Sequence, residues 1–147
     1  MDVILNQTAP VIAISCAGLF FMTGLLTGAW KFSCMMKSKD FVAPYYVDIA
    51  HRSALLYSYA AMLIAVFAYF SIFADWVNIP ATIAPLLFFA IAIFNYIKLG
   101  IKNTTNNQLR DSENPAADKM IMGALAVAEI GGFFILLIGF FARILLR

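Results

Sequence analysis

Residues 45–62 read YYVDIAHRSALLYSYAAM. This segment holds the chain's only histidine, His51, next to Arg52 and one helical turn after Asp48. No residue over 53–74 is charged, and about 20 mostly apolar residues are enough to cross a bilayer. The sequence therefore places its one imidazole at the boundary of a predicted membrane span, beside a carboxylate and a cation.

The composition is that of a membrane protein. Of 147 residues, 63% are hydrophobic and 12% are charged, whereas soluble domains carry about 25% charged residues. The net charge of +2 and the lack of a basic stripe with interleaved aromatic residues exclude nucleic acid as a partner. Cys16 and Cys34 match neither a disulfide framework nor a metal motif. We expect one membrane domain whose surroundings are the lipid bilayer.

Apolar runs of sufficient length predict an all-α fold, an integral membrane four-helix bundle. Trp30 and Lys31 mark the end of the first span as interfacial residues. Asn114 and Pro115 form a helix start, with an N-cap followed by proline at the first helical position. The predicted helices cover residues 9–30, 44–73, 80–101 and 115–146.

The distribution of basic residues predicts the orientation. Eight Lys and Arg residues lie in or beside the loops 31–43 and 102–114, and two, Arg143 and Arg147, lie on the opposite side. Because cytoplasmic loops carry the excess of Lys and Arg, we expect both loops to be cytoplasmic and both termini to be outside. His51 then lies near the cytoplasmic face.

His51 has several possible roles. On a helix, Asp48 shares its face, and a carboxylate one turn back can orient a metal-bound imidazole. One histidine cannot build a zinc site, which needs three or four protein ligands, but it suffices as an axial ligand of haem. A general base and a structural hydrogen bond remain open. Arg52 is a candidate partner for a haem propionate, an anionic substrate group or lipid phosphate.

Glu129 is a carboxyl group predicted to lie within the fourth span. A carboxylate facing lipid is costly, so we expect it to face protein, on a packed face with the small residues Ala124, Ala128 and Gly132. Two roles are open: a protonated, hydrogen-bonded latch, or a group that lines a cavity.

Three other polar residues are candidates for a site near the cytoplasmic side. Asn95 is an amide within a span, which needs a partner and often bonds to another helix. Tyr57 and Tyr96 lie near the predicted interface, where tyrosines also serve as anchors. We treat these three as candidate catalytic groups.

A glycine pair and an Ala-His pair carry a family resemblance. Gly24-Leu-Leu-Thr-Gly28 has the GxxxG spacing that lets another helix backbone approach closely. Followed by Ala50-His51, it resembles the four-helix membrane isomerases of the hydroxylaminobenzene mutase and styrene oxide isomerase type, with an architecture similar to the MAPEG group. The resemblance implies a homotrimer that holds haem b between subunits, with His51 as axial ligand and the ferric iron as the Lewis acid that opens an epoxide.

The chain departs from both groups at specific positions. Tyr57 stands where the isomerases have an asparagine, and Ser53 and Leu56 stand where the glutathione enzymes of the MAPEG group have Asn and Glu. Glutathione chemistry is therefore not expected. We expect a haem-binding isomerase of small apolar substrates, with Tyr57, Asn95 and Tyr96 steering the reaction.

Two alternatives belong to other classes of protein. The first is a non-enzymatic membrane protein, either an accessory subunit of a larger complex or a haem carrier or sensor. The second is a transporter or channel subunit with Glu129 on the path, which the absence of paired broken helices disfavours.

Overall fold

The structure is a computed structural model that describes residues 7–146 and is all-helical over this range. Its helices are α1 Thr8–Lys37, α2 Tyr45–Phe70, α3 Asp75–Lys102 and α4 Pro115–Leu145. Each is long and apolar enough to cross a membrane. The predicted all-α class with four candidate spans is confirmed. Arg147, which entered the orientation count, lies outside the described residues.

The helices form a bundle in which neighbours in sequence pack together. The most extensive contact joins α1 to α2, and α3 contacts both α2 and α4. Small side chains allow the backbones to approach closely at the α1–α2 contact. Both helices carry alanines with at most 3% of their surface exposed: Ala9, Ala13 and Ala17 on α1, and Ala50, Ala54, Ala61, Ala65 and Ala68 on α2.

The first helix is longer than predicted. α1 continues through residues 31–37, which the sequence assigns to a loop because charges begin at Lys31. The Lys31 ammonium lies 2.5 Å from the Asp48 carboxylate on α2, so this charge is paired across the helix contact and does not end the helix. After α1, Phe41 adopts φ 55°, in the left-handed region typical of turns.

The third helix begins earlier than predicted. Residues 75–80 belong to α3 and not to a turn, and Pro80 lies inside the helix. Asp75 is in the first helical turn, where the positive end of the helix dipole favours a carboxylate. Asn78 Nδ2 donates a hydrogen bond to Phe73 O over 2.7 Å, which satisfies a carbonyl just before the helix.

The connection between α2 and α3 is held by α4. α2 ends at Phe70, before the predicted residue 73. Ser71 Oγ accepts a hydrogen bond from Phe73 N at 3.3 Å. Ile72 N donates to Gly139 O at 3.1 Å. The space that a Cβ at Gly139 would need is already filled by Ser71 and Phe73.

The two halves of α4 differ in their packing. Asn114 caps the helix by accepting a hydrogen bond from Ala117 N at 3.1 Å, with Pro115 at the start, as predicted. However, the predicted packed stripe is formed only at its Gly132 end, and Ala124 is exposed. The first half of α4 therefore stands away from the bundle, while the second half packs on α2 and α3.

Candidate functional site

His51 projects from α2 onto the glycine pair of α1. Its Nδ1 lies 2.8 Å from the carbonyl oxygen of Gly24. A Cβ added at Gly28 would lie 2.8 Å from Cε1 and 3.0 Å from Nδ1 of His51, closer than carbon atoms pack. The imidazole thus occupies the space that a side chain at position 28 would take, and Gly28 is required for this ring position.

The bond to Gly24 determines which ring nitrogen carries the proton. A carbonyl oxygen only accepts, so Nδ1 of His51 donates, and Nε2 of the neutral ring keeps its lone pair. Nε2 has no hydrogen-bond partner among residues 7–146 and is not one of the enclosed polar atoms. A backbone carbonyl on one ring nitrogen is a common support for a histidine whose other nitrogen binds a metal.

Asp48 forms ion pairs and does not hold the imidazole. Its carboxylate lies 2.5 Å from Lys31 Nζ and 3.5 Å from Arg52 Nη1. The orienting role that the sequence suggests for Asp48 is filled by the Gly24 carbonyl. Arg52 is predicted as a cofactor-binding residue, and its side chain is 70% exposed. Its guanidinium contacts Asp48 and is otherwise exposed on the surface of the chain.

Tyr57 lies on a different side of α2 from His51. Six residues correspond to a rotation of about 120° around the helix axis, and Tyr57 stacks on Phe89 of α3 with ring centroids 4.4 Å apart. Within one chain, the ring of His51 faces α1 and the ring of Tyr57 faces α3. The structure thus does not bring this candidate catalytic group to the candidate haem ligand of the same chain.

Asn95 and Tyr96 belong to a hydrogen-bonded cluster at the end of α3. Asn95 Nδ2 donates to Gln108 Oε1 at 2.8 Å, and the backbone N–H of Gln108 donates to the Tyr46 hydroxyl at 2.7 Å. Tyr46 in turn stacks on Tyr96, with ring centroids 6.1 Å apart. Asn95 therefore has the partner that an amide in a span needs, although this partner lies in a loop.

The sequence reasoning missed two members of this cluster. Tyr46 lies three helical turns before Tyr57 and shares its face of α2, so helical periodicity is a usable signal for it. Gln108 has no such signal, because its position depends on how the 103–114 loop folds back onto the helices.

A groove of about 430 Å³ opens between α3 and α4. Apolar side chains, Phe88, Phe94 and Leu125 among them, line it, and its polar end contains Asn95 and Tyr96. This size lies in the range of small-molecule pockets. The groove is separate from the His51 contact, since the residues that line it come from α3, α4 and the loop between them.

Glu129 lies on the packed face of α4, between Leu125 and Gly132 in helical register. Its Oε1 is buried and has no hydrogen-bond partner among residues 7–146. Glu129 therefore faces protein as predicted, but the hydrogen-bonded latch is not formed within the described chain.

The described part of the chain holds no cluster of three His, Cys, Asp or Glu side chains suited to a metal ion. A metal at His51 would therefore take its other ligands from a group such as a porphyrin. Comparison of the chain with protein-family models, curated proteins and solved structures found no match. A functional proposal must therefore rest on the chemistry of the site.

Proposed function

We propose that this chain is an integral membrane protein that binds haem b through His51 and isomerises small apolar substrates of the epoxide or hydroxylamine class. The observation that carries the proposal is the position and hydrogen bonding of the His51 imidazole. Nδ1 is bound to the Gly24 carbonyl at 2.8 Å, and Nε2 has no hydrogen-bond partner among residues 7–146. A single histidine held in this way suffices as the axial ligand of a haem.

The residues around His51 fit a haem by their chemistry. The Gly24 carbonyl keeps the proton on Nδ1, and Gly28 leaves the space in which the ring lies. The exposed guanidinium of Arg52 is a charge-assisted hydrogen-bond donor suited to a propionate. When bound, the haem would supply a Lewis-acidic iron.

The proposal includes a homo-oligomer, expected as a trimer, with α2 at the interface. Tyr59 and Met62 share the His51 side of α2 and are 68% and 50% exposed. They supply apolar surface beside the ligand that a neighbouring subunit can cover. The proposed orientation places the loops 31–43 and 102–114 in the cytoplasm and both termini outside, in line with eight basic residues on one side and two on the other.

The proposal also assigns a role to the candidate catalytic groups Tyr57, Asn95 and Tyr96. Because Tyr57 faces away from His51 of its own chain, we assign Tyr57, Asn95 and Tyr96 to a substrate bound at His51 of the neighbouring protomer. Their phenol and amide groups would position an oxygen of the substrate by hydrogen bonds. Mixed oligomers test this assignment: His51→Gly subunits combined with Tyr57→Phe subunits should regain part of the activity that each variant loses alone.

A haem carrier, a sensor or an accessory subunit is the second candidate. The separation of Tyr57 from His51 on α2 favours this candidate. Within the described chain, the charged groups near His51 are Arg52 and the ion pairs of Asp48. Such a protein would bind haem and show no turnover. This candidate shares the His51 assignment and differs only in chemistry.

The test uses the full chain purified in detergent and supplied with haemin. We expect a Soret band that His51→Gly abolishes and added imidazole restores, because imidazole can occupy the vacated position. Asn95→Ala is the matched control and should keep the band. A folded wild-type protein without a Soret band would contradict haem binding. Haem-loaded protein that turns over neither an aryl epoxide nor an aryl hydroxylamine would favour the carrier.

A further inference from the structure

Two opposite charges lie at one end of the groove between α3 and α4. Lys98, near the end of α3, and Asp118, in the first turn of α4, both line this groove. Over residues 7–146 neither side chain forms a salt bridge, either with the other or with a third residue. The ammonium and the carboxylate are therefore separate, unpaired charges at one opening, which carries no net charge.

The rest of the groove is apolar and extends away from these charges along both helices. On α4, Leu125 lies about 10 Å beyond Asp118, and on α3, Phe88 lies about 15 Å before Lys98. The walls are open to the surroundings of the chain, since Phe94 is 70% exposed. Because the groove lies between two candidate membrane spans, hydrocarbon chains of the bilayer can enter it from the side.

This arrangement complements an amphiphile whose head carries both signs of charge. The two charges lie beside the 103–114 loop, at the end of both candidate spans, where the headgroups of a bilayer are found. Lysine is a point charge that binds phosphate, and a carboxylate attracts an ammonium group. A head with one sign of charge would be attracted by one residue and repelled by the other, so a zwitterionic head fits best.

The groups beside Asp118 favour a primary ammonium over a quaternary one. Ser112 also lines the groove, and its hydroxyl and the Asp118 carboxylate are hydrogen-bond acceptors. A quaternary ammonium has no N–H to donate and is bound instead by several aromatic faces. Tyr96 is the groove aromatic nearest to Lys98 in sequence, and one face of its ring is stacked on Tyr46. The donors of a primary ammonium therefore match this end of the groove better.

We infer that the α3–α4 groove binds phosphatidylethanolamine, with its phosphate at Lys98, its ammonium at Asp118 and an acyl chain along the apolar walls. The groove volume of about 430 Å³ holds part of the lipid, and the remainder stays in the bilayer. The bound lipid fills the opening that arises because the first half of α4 stands away from the bundle. Binding is non-covalent and requires no proton transfer.

This inference goes beyond the proposed haem function. It rests on Lys98 and Asp118, which have no role in that proposal, and it uses neither His51 nor the α1–α2 contact. A protein without a Soret band can still bind the lipid, and a protein that does not select this lipid can still bind haem. The two failures are therefore distinguishable.

The experiment measures equilibrium binding of dioctanoyl phosphatidylethanolamine to the full chain in a non-ionic detergent. Phosphatidylcholine and phosphatidylglycerol with the same chains are the comparison compounds, because the first lacks N–H donors and the second lacks the cation. We expect the ethanolamine lipid to bind most tightly. Asp118→Asn should weaken its binding about three- to tenfold, because a charge-assisted hydrogen bond is lost, and should not weaken binding of the glycerol lipid.

Lys98→Gln should weaken binding of both the ethanolamine and the glycerol lipid, because both carry the phosphate. Lys119→Gln is the matched control for the loss of a positive charge, since Lys119 is exposed and does not line the groove. It should leave all three affinities unchanged.

A second pair of variants tests the apolar walls. Leu125→Trp should fill the groove and weaken binding of all three lipids, whereas Val127→Trp, at a position 75% exposed and outside the groove, should not. Thermal unfolding checks that both variants fold, and Asp118→Asn decides alone if Leu125→Trp does not.

Equal affinity of the wild-type protein for the ethanolamine and choline lipids, or an unchanged ethanolamine-lipid affinity in Asp118→Asn, would overturn the inference. Either result would indicate a groove that takes acyl chains without recognising the head. A dimer in detergent that Leu125→Trp abolishes would overturn it in favour of a second copy of the chain in the groove.

Discussion

Two of the helix contacts that depend on glycine differ in the groups that fill the space left by the glycine. At the α1–α2 contact, a Cβ on Gly28 would meet the His51 ring at 2.8 Å. At the α3–α4 contact, a Cβ on Gly132 would meet the Ala81 carbonyl oxygen at 2.5 Å and the Pro85 ring at 2.8 Å. Gly28 makes room for the His51 imidazole, and Gly132 makes room for the backbone and the Pro85 ring of α3.

The comparison shows that one sequence signal serves two purposes. A glycine in a membrane helix indicates close approach, but it does not say what approaches. A side chain such as His51 can shift its rotamer to relieve a clash, whereas a carbonyl and a proline ring within α3 cannot. Substitutions at the two contacts should therefore differ in both size and kind of effect.

The largest effect is expected for Gly132→Ala. The new methyl group would overlap the backbone of α3, and overpacking of this kind costs about 1–3 kcal/mol of the free energy of unfolding. Thermal or denaturant unfolding in detergent measures it. Gly131→Ala is the matched control, since a Cβ there meets no atom within 4 Å. Equal stability of the two variants would contradict close backbone contact between α3 and α4.

Gly28→Ala should have a smaller effect on stability and a larger one on the site. Displacing the His51 ring from its rotamer costs about 0.5–1.5 kcal/mol. Disturbing the support of a metal-binding histidine weakens metal affinity about 10–100-fold. If His51 ligates haem as proposed, haem affinity should fall by that factor. Haem titration followed at the Soret band measures it. Gly18→Ala, which lies in open space, is the control.

An unchanged haem affinity in Gly28→Ala, together with normal affinity in the control, would show that the ring position does not matter for the ligand. Substitutions at Gly28 and Gly132 would then differ only in how much stability they cost.

Tyr46→Phe should leave both glycine contacts intact and loosen the loop. It removes the hydroxyl that accepts the hydrogen bond from Gln108 N at 2.7 Å, which is worth about 1 kcal/mol. We expect faster hydrogen exchange of the Gln108 amide, while amides of α1 and α4 keep their protection. Tyr45→Phe is the neighbouring control, since Tyr45 is 55% exposed. Loss of protection throughout α1 would instead link the loop to the histidine contact.

The smallest effect concerns an exposed ion pair in the same loop. Arg110 and Thr105 bind Asp111 at 2.7 Å and 2.6 Å, and the Arg110 guanidinium holds the pKa of Asp111 at about 2, below its usual 3.8. Because the folded pKa is lowered, this stabilisation is present above about pH 4 and is lost as the pH falls towards about 2.

Titration of the Asp111 carboxyl group by NMR measures this pKa. Arg110→Gln should raise it, and Glu113→Gln should leave it unchanged. Both variants should keep the two helix contacts as they are. An unchanged pKa in Arg110→Gln would show that the ion pair does not persist in solution.

Part of the candidate site was accessible from sequence. The spacing of Asp48, His51 and Arg52 indicated an ionisable cluster, and an amide at Asn95 indicated a need for a partner. The identity of the partners was not accessible. Asp48 pairs with Lys31 of another helix, and Asn95 pairs with Gln108 of a loop.

The sequence by itself determined the four apolar helices and the start of α4 at Asn114. These are local properties, because hydropathy sums over adjacent residues and an N-cap bonds only three residues away. Only the tertiary structure decided that the carbonyl of Gly24 holds His51, that the ring lies in the space left by Gly28, and that the first half of α4 stands away from the bundle. The physical reason is that such partners lie tens of residues apart in sequence, and only the packing of the helices brings them within hydrogen-bond distance.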